Sequence, residues 1–186
     1  MGRCLWLLIL VLFICTNTCR ADDEGYVRQI QELAGDGDSE SQFALALLYE
    51  YGEQGVPRDP EKALSWFLQA GKYGVPAACL YLGIKYENGS GVERNLVAAG
   101  RWYCCAATQG WAMAQFFLAE LYKKGRGVRQ DNSSAFVWYG LAAEQDYPGA
   151  KEAIAQLTPT MSEADLKKGI SLRSGLLDTK GDCSGL

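Results

Sequence analysis

A single period organises this chain. Gly55-Val56, Gly91-Val92 and Gly127-Val128 are spaced 36 residues apart, and so are Trp66, Trp102 and Trp138. Ala63, Ala99 and Ala135 follow the same spacing, as do Ala70, Ala106 and Ala142, and Asp59, Asn95 and Asp131 hold a further column. A period of this length marks a supersecondary unit that cannot bury its apolar face alone and must stack on copies of itself. No other feature constrains the fold as strongly.

Each copy reads as two helices. The first is apolar and carries a tyrosine: Tyr49, Tyr86 or Tyr122. A glycine turn follows, where the left-handed conformation ends a helix at little cost. The turn of copy one is a residue longer, so its first-helix columns precede those of copy two by 37. Asp59, Asn95 or Asp131 then offers an N-cap side chain, with Pro60 well placed at a helix start. The second helix reads Ala-x-x-Trp-aromatic-x-x-Ala, ending in Ala70, Ala106 and Ala142. Alanines let helices approach closely, and the aromatic pair fills the gap between hairpins.

The expected fold is an all-α, right-handed αα-hairpin solenoid of three complete repeats with capping helices at both ends. The repeats span 41–77, 78–113 and 114–149, with a partial fourth at 150–157. Residues 22–40 supply an N-terminal capping helix and turn. Thr158-Pro159-Thr160 breaks the helix of that partial copy. Ser162 and Asp165 then start a C-terminal capping helix that runs to about Leu177. Residues 158–186 thus hold that helix and a polar, loose tail.

The first 21 residues stand apart. Arg3 precedes a ten-residue apolar core, Leu5 to Ile14, and Cys19 and Ala21 sit at the −3 and −1 positions of a cleavage after Ala21. This is the pattern of a secretory signal peptide, and the run is short for a membrane span. Export, either secretion or passage to the periplasm, is therefore expected, and the only membrane association would be through an uncleaved segment. Losing Arg3 and Arg20 takes the net charge from −4 to −6 and leaves Cys79, Cys104, Cys105 and Cys183 in an oxidising compartment.

The composition weighs against catalysis. There is no histidine, which removes Ser-His-Asp and Cys-His nucleophile systems and histidine-ligated metals. An acidic balance argues against nucleic acid as a partner, since a phosphate backbone needs a basic face. Asp36-Gly37-Asp38 begins like a calcium loop, but the sixth and twelfth positions are Ser41 and Leu47 rather than glycine and glutamate. The Gly-x-Gly turns follow helices and lack a phosphate-loop lysine. Neither cofactor, metal nor catalytic residue is expected. Asn88-Gly89-Ser90 and Asn132-Ser133-Ser134 are glycosylation sequons at turns.

The run from Ala78 through Leu82-Gly83, Tyr86, Gly89, Gly91-Val92, Asn95, Ala99, Trp102-Tyr103 and Ala106-Ala107 to Gly110 closely resembles the Sel-1-like repeat. That family is related to the tetratricopeptide solenoids. The resemblance implies an adaptor or scaffold that assembles complexes. It also implies roles in envelope signalling, morphogenesis or host-cell interaction for secreted bacterial members. A cysteine-rich branch ties a second helix to the following first helix by disulfides. Cys79 occupies one such position, but the partner position is Gly71, and the next pair would be Ala107 and Gln115. The regular pattern is absent.

Cys104 and Cys105 lie on the second helix of copy two, opposite Cys79 on the first. One of them could bond Cys79, with Cys79–Cys104 the candidate pair; buried thiols are the alternative. First-helix residues turned away from the Ala78, Leu82, Gly83 and Tyr86 face are also apolar. In tetratricopeptide-like solenoids the first helices line the concave surface. Phe43, Tyr81, Ile84, Lys85, Phe117, Glu120 and Leu121 are accordingly expected to line a groove for a peptide or helix, with Lys85, Glu120, Lys123 and Lys124 as its polar rim. The expected function is a protein-interaction module whose partner is another protein or a peptide. The alternatives are a hydrolase on a helical-repeat scaffold and a self-assembling structural protein.

Overall fold

A computed structural model describes residues 24–179, with side chains to residue 173. The signal segment, its cleavage after Ala21 and the tail beyond Thr179 lie outside the described residues. Among those described, the chain is all helix and turn. α1 spans 24–35. It is followed by α2 (Ser39–Tyr51), α3 (Pro60–Lys72), α4 (Pro76–Asn88), α5 (Leu96–Ala107), α6 (Ala112–Lys124), α7 (Asn132–Glu144), α8 (Ala150–Leu157) and α9 (Glu163–Thr179). A 3-10 turn at Thr158–Thr160 separates the last two. The all-α hairpin repeat fold is the one the period demands. Two compact units form, one ending at Ala70 and the other beginning at Gly71.

The same local bonds recur in every copy, which is why the columns recur. Gly52, Gly89 and Gly125 end the first helices in the left-handed conformation and donate back to the carbonyls of Leu48, Lys85 and Leu121. The amides of Asp59, Asn95 and Asp131 donate to the carbonyls of Tyr49, Tyr86 and Tyr122. The side chains of those same three residues cap the second helices, accepting from Lys62, Ala98 and Ser133. Arg58, Arg94 and Gln130, each one residue before its cap, donate to the carbonyls of Glu50, Glu87 and Lys123. The polar columns therefore tie the turn, and the apolar columns fill the layer.

In the first unit, Ile30 and Ala34 of α1 pack with Leu45, Leu48 and Val56. In the second, Ala99, Tyr103 and Ala106 of α5 and Ala135, Trp138 and Tyr139 of α7 join Leu118 and Ala119 of α6 in one core. α9 lies on α7. The Ser133 hydroxyl, fully buried, donates to the carbonyl of Asp165 at 2.9 Å, and Lys168 Nζ reaches Asp131 at 2.8 Å. The Ser162–Asp165 capping box forms at its start. The helix runs two residues past Leu177.

Candidate functional site

Phe67, Tyr103 and Tyr139 occupy one column of the second helices, and all three are buried to 1% exposure or less. A buried tyrosine needs a partner for its hydroxyl. Tyr103 finds one in Glu87, its hydroxyl donating to Oε2 at 2.7 Å. Tyr139 donates to Glu120 Oε1. Each carboxylate spends its other oxygen on a cation: Glu87 Oε1 faces Arg126 at 3.6 Å, and Glu120 Oε2 pairs with Lys124. Lys123 lies over the Tyr139 ring, 5.9 Å from its centre.

Burial pushes the Tyr103 hydroxyl well above the usual phenol range, and the Glu87 carboxylate adds to the rise through hydrogen bond and charge. Tyr139 is raised in the same way by burial and Glu120. At Glu120 burial works towards protonation. The hydrogen bonds from Lys124 and Tyr139 and the charges of Lys124 and Lys123 outweigh it, so the acid is held below its ordinary value.

These pairs border a groove of about 510 Å³ on the α4 and α6 side of the second unit. Ile84, Phe116 and Phe117 supply apolar walls, with Tyr103 between them, and Glu87, Asn88, Glu120, Lys124 and Arg126 the polar ones. The aromatic rings are set against each other rather than left loose: Phe117 sits 5.3 Å from Tyr103, and Phe116 sits 5.3 Å from Tyr139 and 5.1 Å from Tyr147. Gly83 gives Tyr103 its depth, since a Cβ there would fall 2.4 Å from the ring. Such an arrangement offers a preformed, partly apolar cleft with charges fixed at its edge.

Of the residues expected to bind a partner, Ile84, Phe117 and Glu120 come together in this groove. Phe43 belongs to the first unit and packs on Phe67, ring centres 5.9 Å apart. Tyr81 is half-buried and outside the groove lining. Two expectations are corrected. Leu121 is buried at 1% exposure and is core, and Lys85 is buried at 7% rather than forming a rim. One residue is a turn of about 100° around a helix, which carries the column of Leu48, Lys85 and Leu121 back into the layer. The real rim includes Glu87 and Arg126, which sequence reasoning missed. The available signal was the change from Phe67 to Tyr103 and Tyr139 in a core column, because each buried hydroxyl had to be answered by an acceptor.

The disulfide is also corrected. Cys79 is joined to Cys105, not Cys104, with Cα atoms 5.9 Å apart. Adjacent helical residues point about 100° apart, and Cys105 is the one whose sulfur meets Cys79 of α4. Cys104 is buried at 4% exposure in the core. Gly71, where the cysteine-rich pattern would place a partner, has no room: a Cβ would meet Leu82 at 2.7 Å and Trp102 at 3.0 Å.

Three successive segments, 39–73, 76–111 and 112–147, match the Sel1 repeat. The chain belongs to the Sel1 repeat family. Its fold is similar to a Sel1 repeat protein from Oxalobacter formigenes, with a TM-score of 0.66 and 33% identity over 69% of this chain and 96% of that one. It is also similar to c5321, a protective antigen of uropathogenic Escherichia coli displaying an SLR fold, with a TM-score of 0.58 and 25% identity over 83% of this chain and 41% of that one. Among curated proteins it resembles the ERAD-associated E3 ubiquitin-protein ligase component HRD3A of Arabidopsis thaliana, 33% identical over 39% of this chain. It also resembles the chitin synthase regulator SKT5 of Saccharomyces cerevisiae, 35% identical over 43% of this chain. The matched segments cover 11% and 12% of those two proteins. Sel1 repeat proteins are in general protein-interaction scaffolds.

Proposed function

We propose that the chain is an exported, non-catalytic interaction module that holds a segment of another protein in the groove beside α4 and α6. The observation that carries this reading is the groove itself: Ile84, Phe116 and Phe117 remain only half-buried beside two carboxylates anchored by tyrosines. A preformed wall of this kind lowers the ordering cost of binding. Export is supported by the N-terminal apolar segment and by the Cys79–Cys105 bond, which persists in an oxidising compartment.

The test is site-specific photo-crosslinking. A benzophenone side chain replaces Asn88 at the groove edge, and a control replaces Tyr51 in the first unit. A polypeptide crosslinked from Asn88 alone, and lost on Phe117→Ala in a chain of unchanged helicity, is the expected result. Equal crosslinking from both positions overturns the groove. N-terminal sequencing of the exported chain is expected to find Asp22 first; a retained Met1 overturns cleavage.

A further inference from the structure

The turn after α6 reverses the charge of its counterparts. In copy two the last helical turn and the following loop carry Glu87, Asn88, Ser90 and Glu93; in copy three the same columns carry Lys123, Lys124, Arg126 and Arg129. Copy one has Glu50 and Glu53 in this region. Four cations thus fall within seven residues of a chain whose net charge is −4. Lys123 and Lys124 suit a helix C-terminus, whose dipole favours positive charge. Arg126 and Arg129 lie beyond the helix, so the dipole does not account for them.

Glu87 and Glu120 offset only part of this charge, two carboxylates against four cations. One oxygen of each carboxylate accepts from a tyrosine, Tyr103 or Tyr139; the second oxygen of Glu120 pairs with Lys124, and that of Glu87 faces Arg126 at 3.6 Å. The cations have donors to spare. A guanidinium presents five N–H groups and an ammonium three, and Arg126 approaches Glu87 only to 3.6 Å, beyond hydrogen-bond reach. The carboxylates are anchored by tyrosine hydroxyls and are less exposed than their cations, whose side chains are 49% exposed at Lys124 and 38% at Arg126.

The turn is also held in place. Gly127 is bedded on Leu96 so closely that a Cβ would lie 2.3 Å from the Leu96 carbonyl carbon. The backbone next to Arg126 is therefore held, and its side chain lines the groove with Phe116 and Phe117. Resting on the groove reading above, we infer that the groove takes an acidic protein segment, with an apolar side chain against Ile84, Phe116 and Phe117, flanking carboxylates on Lys124 and Arg126 of its lining, and a further one on Arg129, exposed in the same turn outside the lining. A row of phosphates or lipid headgroups would leave the apolar wall of Ile84, Phe116 and Phe117 uncovered, so a protein segment suits the lining better.

The probe is a random library of short linear peptides displayed on phage, panned on the full chain. The expected result is enrichment of Asp and Glu around a Leu, Phe or Trp anchor. Binding should fall about tenfold or more in a Lys124→Gln, Arg126→Gln, Arg129→Gln variant of unchanged helicity, and weaken in salt of about 0.5 M. Phe117→Ala should weaken it too. Peptides that depend on Phe117 but ignore the three cations overturn the acidic partner and leave the groove standing. Peptides indifferent to both overturn the inference and the groove together. Binding of RNA or phosphatidylserine vesicles that needs the three cations and ignores Phe117→Ala, at strengths matching the peptides, overturns the protein segment as occupant.

Discussion

The hairpins α4–α5 and α6–α7 follow one plan and are fastened differently. At the start of α6, Gln115 donates to the carbonyl of Ala107 at 3.1 Å and accepts from Gln145 at 2.9 Å, so its amide is answered at both ends. Gln42 makes the same reach to the carbonyl of Ala34 at 3.3 Å, but its Oε1 lacks a partner among the described residues. Cys79 fills this column in copy two. Its sulfur lies 3.7 Å from the Gly71 carbonyl and is bonded instead to Cys105. Gln109 then gathers the carbonyls of Gly74 and Cys105 at 2.8 and 2.9 Å. One column therefore serves as an amide clasp or as a covalent one. The covalent form fastens the two helices of one hairpin. The amide form reaches back to the preceding second helix.

The largest break in this comparison is removal of the covalent clasp. Cys79→Ala with Cys105→Ala opens a loop whose ends are 26 residues apart and should cost about 3.5 kcal/mol by loop-closure entropy. Thermal unfolding measures the loss, and hydrogen exchange should place it in α4 and α5 while α7 stays protected. Equal loss of protection in both hairpins would make the clasp global rather than local.

Gly83→Ala comes next. Copy three carries Ala119 at this column and copy one Ala46, both fully buried. Only Gly83 has a ring at 2.4 Å. Overpacking of this kind costs about 2 kcal/mol, against a gain of up to about 1 from helix propensity. Denaturant unfolding should show net destabilisation, whereas Ala119→Gly should lose only about 1 kcal/mol.

Tyr103→Phe and Tyr139→Phe each remove a bond to a charged acceptor and should cost about 1.5 kcal/mol near neutral pH. Both hydroxyls are raised above the ordinary value of 10. Their contribution is complete below that value and is lost as the pH rises towards the higher folded values. The wild type should therefore destabilise in alkali more steeply than the double phenylalanine variant, as read by unfolding at several pH values. The smallest effect is at Glu120. Its acid is lowered, so its contribution is present above the ordinary value of 4.5 and fades as the pH falls through the folded value. Glu120→Gln should flatten that acid arm slightly, the carboxylate being in part solvent-screened.

The columns of the repeat were legible because each has a local cause. The Gly52, Gly89 and Gly125 turns and the Asp59, Asn95 and Asp131 caps depend on neighbours close in the chain, so spacing alone reveals them. The groove was only half legible. Ile84 and Phe117 could be placed on an open face by helical period, but Leu121 and Lys85 are one step further round and fall into the core. The partner of Tyr103 is Glu87, on the neighbouring helix, and the pairing depends on how α4 and α5 pack. Cys105 was chosen over Cys104 for the same reason. Period gives the face of a helix, and packing sets its rotation to within a residue.

The absent side chain at Gly83 carries a consequence for treating such repeats as interchangeable parts. Repeat arrays tolerate exchange of units because each meets its neighbours through shared columns. Here the ring of Tyr103 lies where every other copy keeps a methyl group, so α4 and α5 form a matched pair. Transplanting α6 into the place of α4 would bring an alanine under that ring and lift it out of its seat. This hairpin can be moved whole, but its two helices cannot be traded singly.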